Sequence, residues 1–268
     1  MHLGVTPRWY GGDMIEVPLR QSWLNTFTNC PEQARQDRMG LVTQKETSDM
    51  LRGNMVHGAI EYCGNIMLDG GEVPRLEQLF DHLDEVFHNS VDDVEVWRHD
   101  HVQVCDVARN NVYAWYEEVL PLLDPVGVEK GFRYTLDERD GVRLVLTGTA
   151  DWINEDGSIW DWKNPSRKYL EWEKRRWDLQ SHVYCAAFGS TEFNLVALVN
   201  GEVQRIVIER TEADTEALKD LCWSAAEMLL SDLKVWPKRW GWWGCSPKWC
   251  PVWQAGECRG KHLGSDPW

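Results

Sequence analysis

The sequence predicts an α/β fold with a helical N-terminal part, a sheet-forming middle and a cysteine-rich end. Three observations carry this. Helix-period apolar patterns recur between residues 22 and 123, three strand-like segments joined by turn signals occupy 128–163, and a further helix leads into an Asn-Gly hairpin before residue 210. At 268 residues the chain suits one domain: a helical part over 21–125, a sheet core over 126–210, and a helix with a metal-binding cysteine end over 211–268.

Residues 1–20, with Pro7, Gly11, Gly12 and Pro18, read as irregular. A helix is expected over 22–29. A second starts near Thr47 or Ser48, either of which can cap it, with Asp49 in its first turn and Val56, Ile60, Cys63 and Met67 as its apolar stripe. Helices over 75–88 and 101–123 follow. Strands are expected over 128–136, 142–153 and 158–163, the first two joined by a turn at 137–141. A helix over 177–188 precedes strands at 194–199 and 203–209 around Asn200-Gly201. Thr211 with Asp214 three residues on opens a long helix whose stripe is Leu218, Leu221, Ala225, Leu229 and Leu233.

Composition narrows the class. No run of about 18 apolar residues exists, and the opening residues lack the apolar core of a secretory signal, so a cytoplasmic protein without a membrane span is expected. Eight cysteines then read as thiols and metal ligands before disulfides. A net charge of −15 argues against a broad electrostatic grip on nucleic acid, but not against a local one. Two basic tracks are visible: Lys168 with Lys174, Arg175 and Arg176, and Lys234 with Lys238 and Arg239. Of seventeen tryptophans most suit the core; Trp172, Trp177, Trp236 and Trp240 lie nearest the basic residues, where an exposed ring can stack on an unpaired base.

The chemistry concentrates in one hairpin, GTADWI…IWDWKN, which carries Asp151, Asp161 and Lys163. Asp161 and Lys163 are two apart and share a strand face. A three-residue loop at 155–157, with Gly157 left-handed, sets Asp151 opposite Asp161, with Cβ atoms roughly 4.5–5.5 Å apart. A two-residue Asp156-Gly157 turn would instead put them on opposite faces. Facing carboxylates repel unless a cation lies between them, so the pair suits Mg²⁺ or Mn²⁺, with the ammonium beside developing phosphate charge. The alternative is a surface hairpin with a salt bridge.

Other elements stand in a telling order. SWLNTFTNCPEQAR precedes a Gly53-x-x-x-His57 pattern with Glu61 one turn on; Gln180-x-x-x-Tyr184 follows the hairpin; Cys245, Cys250 and Cys258 close the chain. Together these resemble the RecB-like branch of the PD-(D/E)xK nucleases, which includes iron–sulfur nucleases of CRISPR adaptation and related bacteriophage exonucleases. The resemblance runs from about residue 22 to 258. It implies a restriction-endonuclease-like core and a Mg²⁺- or Mn²⁺-dependent DNA exonuclease working on single strands or frayed ends, alongside a recombination or CRISPR partner protein. It further implies that His57 joins Asp151 and Asp161 as a metal ligand, that Gln180 holds Lys163 or a phosphate, that Tyr184 contacts substrate, and that Glu129 is either a water-mediated ligand of a second metal or a surface charge. Glu61 reads either as a support beside the metal ligands or, the favoured reading, as a solvated or salt-bridged acid. Cys30 with Cys245, Cys250 and Cys258 would hold a four-iron–four-sulfur cluster. Intervals of four and seven residues between the last three depart from the family's usual two and five. A zinc site of those three with His262 is the rival. A structure-selective endonuclease and a non-catalytic DNA-binding accessory protein are the competing functions.

Overall fold

Strand β3 (Val142–Asn154) organises the sheet, because its two edges are used differently. In the computed structural model, which describes residues 14–41, 45–239, 244–246 and 250–258, β2 (Pro125–Arg139) runs antiparallel along nearly the whole of one edge, from Pro125 opposite Asn154 to Arg139 opposite Val142. The other edge is shared. β1 (Ile15–Arg20) lies parallel to residues 142–147, and β4 (Ile159–Lys163) pairs antiparallel with Trp152 and Ile153. Residues 148–151 border neither strand, which leaves a notch in the sheet. β5 (Glu192–Val199) continues parallel to β4, and β6 (Glu202–Glu209) closes the sheet through Asn200-Gly201, both at positive φ as a tight hairpin requires.

Helices cover both faces. On one lie α3 (Ser48–Leu68), α4 (Leu76–Ser90) and α5 (His101–Glu118), which bury Leu51, Met55, Leu83, Val112 and Trp115 against Trp152, Trp160 and Trp162. On the other, α1 (Gln21–Asn29), α6 (Asp178–Phe188) and α7 (Glu212–Leu230) enclose Leu144, Leu146, Ile159, Phe193 and Leu195. Capping chemistry fixes the starts: Thr47 Oγ1 accepts the Met50 N–H at 3.3 Å, and Asp214 accepts the Thr211 N–H at 2.7 Å. Gly64 sets the depth of α3, since a Cβ there would meet the Trp152 ring at 2.4 Å and Val128 at 2.6 Å. Only a glycine lets that helix approach the strands so closely, and His57 lies two turns earlier on it.

The expected irregular start is corrected by β1. Val17 and Leu19 alternate inward, and Pro18 is tolerated because β1 pairs along one edge only. The expected helix over 22–29 does not end the local helical structure: Pro31 occupies the first turn of α2 (Pro31–Arg38), where its missing N–H costs no bond. The helix expected to reach 123 stops at Glu118, since Pro121 permits only a short 3₁₀ turn at Leu120–Leu122. Leu233 lies beyond the end of α7 and is exposed. No helix among the described residues is long and apolar enough to cross a membrane.

Candidate active site

The hairpin turn is the three-residue form. Asn154 donates to the Ser158 carbonyl at 2.9 Å, Gly157 donates back to Asn154 at 2.9 Å, and Gly157 has φ 81°. The register of Trp152 with Trp160 and Ile153 with Ile159 sets Asp151 opposite Asp161. There the ladder gives way to side-chain chemistry: Asp151 Oδ2 accepts the Trp162 N–H at 3.0 Å. Asp151 thus stands at the notch, where a carboxylate replaces a missing strand.

Asp161 is fully buried. One oxygen accepts from Gln180 Nε2 at 2.5 Å, and the other lies 2.5 Å from Lys163 Nζ. Burial pushes its carboxyl up to about 6; Lys163 opposes the rise and Asp151 adds to it. Burial would lower the Lys163 ammonium, but Asp161 and Asp151 hold it above the ordinary lysine range. Lys163 also lies 5.2 Å from the centre of the Trp177 ring, which fixes its direction.

His57 reaches the same place from α3. Its Nε2 is 2.9 Å from the Trp162 carbonyl, and its Nδ1 is 3.5 Å from Asp151 Oδ2. If Nε2–H donates to the carbonyl, Nδ1 turns a lone pair toward a carboxylate. Two acceptors facing each other call for a proton or a metal ion between them. Glu129 completes the group: among the described residues, ligand atoms of His57, Glu129 and Asp151 lie within 4.8 Å of one another. Glu129 has φ 43°, a left-handed conformation in mid-strand that a non-glycine residue rarely adopts. The β2–β3 ladder skips it, pairing Val128 with Trp152 and Lys130 with Ala150 on either side. Burial pushes its carboxyl up to about 7, with Asp151, Glu61 and Asp161 adding to the rise.

The pieces named from sequence therefore separate. Asp151 with His57 and Glu129 forms one convergent group, while Asp161, Lys163 and Gln180 form an adjoining buried one. Gln180 bonds Asp161 rather than Lys163. Tyr184 is buried against Phe132 and Phe193 in the wall of the site rather than open to a substrate. Glu61 lines the cleft of about 670 Å³ that His57, Glu129 and Lys163 also border. The donor set suits a hard divalent cation: carboxylate oxygens, an imidazole and the Trp162 carbonyl. Arg52 and Asn164, which no sequence pattern singles out, line a second cleft of about 770 Å³ that shares Asp49 and Asn164 with the first. Asn164 follows Lys163 in the chain, and the fold brings Arg52 to it, donating to the Asn164 carbonyl at 3.1 Å.

Four cysteines lie near one another at the chain ends. Cys30 lies between α1 and α2, and the Cys245 and Cys250 thiols are raised by burial first and then by neighbouring thiols, Cys258 and Cys30 among them. All eight cysteines are free. His262 and Trp240 lie outside the described residues.

The family model of the PD-(D/E)XK nuclease superfamily matches residues 19–255. No curated protein matches the chain. Among solved structures, a candidate exonuclease from Eubacterium rectale aligns with TM-score 0.55 at 15% identity, covering 84% of this chain and 85% of that one. The protein SSO0001 aligns with TM-score 0.47 at 10% identity over 91% and 87%, and LHK-Exo, solved with dAMP, with 0.34 at 12% over 69% and 87%. At these identities the first likeness speaks for the fold alone.

Proposed function

The chain belongs to the PD-(D/E)XK nuclease superfamily, and we propose that it is a divalent-metal-dependent DNA exonuclease acting on single-stranded or frayed ends. The observation that carries this is the convergence of His57, Glu129 and Asp151 within 4.8 Å beside the buried Asp161–Lys163 pair. Mg²⁺ or Mn²⁺ held by Asp151, Asp161, the Trp162 carbonyl and His57, with Glu129 beside them, would supply an activated water and neutralise charge on the phosphate. The chain's own part is positional. Asp161 holds Lys163, the Trp177 ring sets its direction, and the ammonium, a quarter exposed, meets the negative charge that grows on the phosphate oxygens. Gln180 fixes Asp161 so that this charge does not drift. Hydrolysis that releases the 3′-oxygen leaves a 5′-phosphate.

The four cysteines support an iron–sulfur cluster that clips α1 and α2 to the C-terminal segment. The clip is already drawn by hydrogen bonds from Gln36 to the Glu257 carbonyl at 3.2 Å and from Glu32 N–H to the Pro237 carbonyl at 3.1 Å. Hydrolysis needs no redox step, so the cluster's part is structural.

The test is digestion of a linear and a circular single strand with Mn²⁺, run beside a visible spectrum of protein purified without oxygen. Loss of the linear strand with survival of the circle is expected, as is broad absorption near roughly 400 nm. Cutting of the circle would make the enzyme an endonuclease; no digestion of either would leave a DNA-binding accessory protein. A colourless protein that keeps zinc after Cys30→Ala would replace the cluster by the C-terminal zinc site.

A further inference from the structure

The connection from β4 to α6, residues 164–177, is unlike the rest of this acidic chain. Between residues 167 and 176 it carries five cations, Arg167, Lys168, Lys174, Arg175 and Arg176, against two carboxylates, Glu171 and Glu173. Glu173 is buried beneath it, held by both guanidinium nitrogens of Arg167 at 2.7 and 2.9 Å, so its charge is spent locally. Above it Trp172 is 63% exposed, with the Arg176 guanidinium 5.6 Å from its ring centre. Trp236 instead packs edge-on to Trp23 and Phe27 at 4% exposure, and Trp177 is half-buried beside Lys163. Of the three described tryptophans nearest the two basic tracks, Trp172 presents the large exposed face.

Beneath this connection lies the 770 Å³ cleft, bordered by Arg52, Asn164, Tyr169, Arg175, Arg176 and Trp177. Three hydrogen-bond donors on its lining residues lack an acceptor: Arg52 Nε, Asn164 Nδ2 and Trp177 Nε1. The Asn164 orientation is not arbitrary. Asn111 is fixed by donating to the Leu198 carbonyl and accepting from Gly201 N–H, so its amide also donates to Asn164 Oδ1, and the Asn164 NH₂ is left over. The two acids at the rim are neutralised, Asp49 by Arg52 and Arg98, and Asp178 by Arg210. A buried donor without an acceptor is costly, and three around one cleft point to an acceptor-rich occupant.

We infer that this cleft and Trp172 together seat one unpaired nucleic-acid strand on its way to Lys163, with a phosphate among Arg52, Asn164, Arg175 and Trp177 and a neighbouring base stacked on the Trp172–Arg176 platform. The inference rests on the nuclease reading for the identity of the strand, and it makes the unpaired state a requirement. A base inside a duplex cannot offer its face to a tryptophan.

The test measures binding without cleavage. The full chain is titrated in EDTA with fluorescent dT12, with an abasic deoxyribose-phosphate strand of equal length, and with a 12-base-pair duplex. Trp172→Ala should weaken dT12 on the order of tenfold while leaving the abasic strand unchanged. Such a split cannot arise from misfolding, which would weaken both. Arg175→Gln with Arg176→Gln should weaken both strands and reduce the salt slope by about 0.7 for each phosphate no longer neutralised. Trp177→Phe, which keeps the ring and removes only the N–H, should weaken both strands alike. A 5′-phosphorylated strand binding more tightly than its 5′-hydroxyl twin would place a terminal phosphate in the cleft; equal binding of a circle would place an internal one. Unchanged affinity of Trp172→Ala for dT12, or equal losses on dT12 and the abasic strand, would overturn the platform. Wild-type protein that binds dT12 with this split yet cuts nothing in Mn²⁺ would sink the nuclease reading alone.

Discussion

Two buried carboxylate centres in this molecule are built in opposite ways. Glu32, at the seam between α2 and the C-terminal segment, accepts two bonds from Arg35, one from Gln36 and one from the Trp236 N–H, at 2.8–3.0 Å. Burial alone would raise its carboxyl; the partners prevail and bring it down to about 2. At the notch Glu129 stands among other acids and burial drives it up to about 7, while Asp161, though bonded to Gln180 and paired with Lys163, is still driven by burial up to about 6. A carboxylate that holds chain together is given every donor it can use. Glu129, which faces the ligand site, is left short, with the acids Asp151, Glu61 and Asp161 around it.

The sharpest way to break the comparison is to remove the deprived group. Asp151→Ala, Asp161→Ala and Lys163→Ala should each lower cleavage by about 10²–10³-fold at saturating Mn²⁺; the melting temperature should change little for Asp151→Ala, where relief of repulsion offsets the bond removed, and fall for Asp161→Ala and Lys163→Ala, each of which breaks a buried ion pair. Near-normal digestion by any one would remove that residue from the site. Removing the satisfied group should do the reverse. Glu32→Ala orphans the Trp236 N–H and part of Arg35 and Gln36, which costs about 3 kcal/mol and lowers the melting temperature by roughly 6 °C, while cleavage per folded molecule persists. A Glu32→Ala protein that melts like the wild type but cuts nothing would reverse the assignments of the two centres.

Acidity gives the finest discrimination because the two signs differ. Glu32 is depressed, so its contribution to stability is present above about 4.5 and is lost as pH falls toward 2. Glu129 is raised, so the metal-free protein gives up stability as pH climbs from about 4.5 through 7. A cation requires the ionised form, and Mn²⁺ should therefore bind less tightly as pH falls below 7, by about tenfold per unit for each proton it must displace. Thermal shifts with and without Mn²⁺ at pH 5.5, 7 and 8.5 read this directly. Glu129→Gln should abolish the inflection near 7, and a Mn²⁺ shift independent of pH would remove Glu129 and Asp161 from the cation's surroundings.

Much of the sheet and its hairpin was legible, and the reasons are local. Gly157 and Asn200-Gly201 announce their turns, Thr211 with Asp214 announces a helix start, and the two-residue spacing of Asp161 and Lys163 announces a shared face. What escaped depended on distance or on strain. Pro18 hid β1, whose partner lies more than 120 residues away. Nothing in VEKG marks Glu129 as left-handed, because the strain is held by strands packed on either side rather than by its own sequence. Gln180 was assigned to Lys163 or a phosphate, but the position of α6 over β4 gives it to Asp161. Arg52 carries no motif at all, and Asn164 merely ends the hairpin segment; their meaning comes from the cleft that α1, α3 and the β4–α6 connection enclose.

The shared edge of β3 also orders events in time. The strand that begins the described chain has no partner until residues 142–147 exist, and the site draws on residues from His57 to Gln180. A ribosome releasing this chain from its N-terminus must therefore emit α3 with its histidine, then Asp151, then the lysine, and finally the glutamine that steadies Asp161. Until α6 has emerged, Asp161 lacks the bond from Gln180 that steadies it. The order of the residues along the chain thus sets the order in which this group can close.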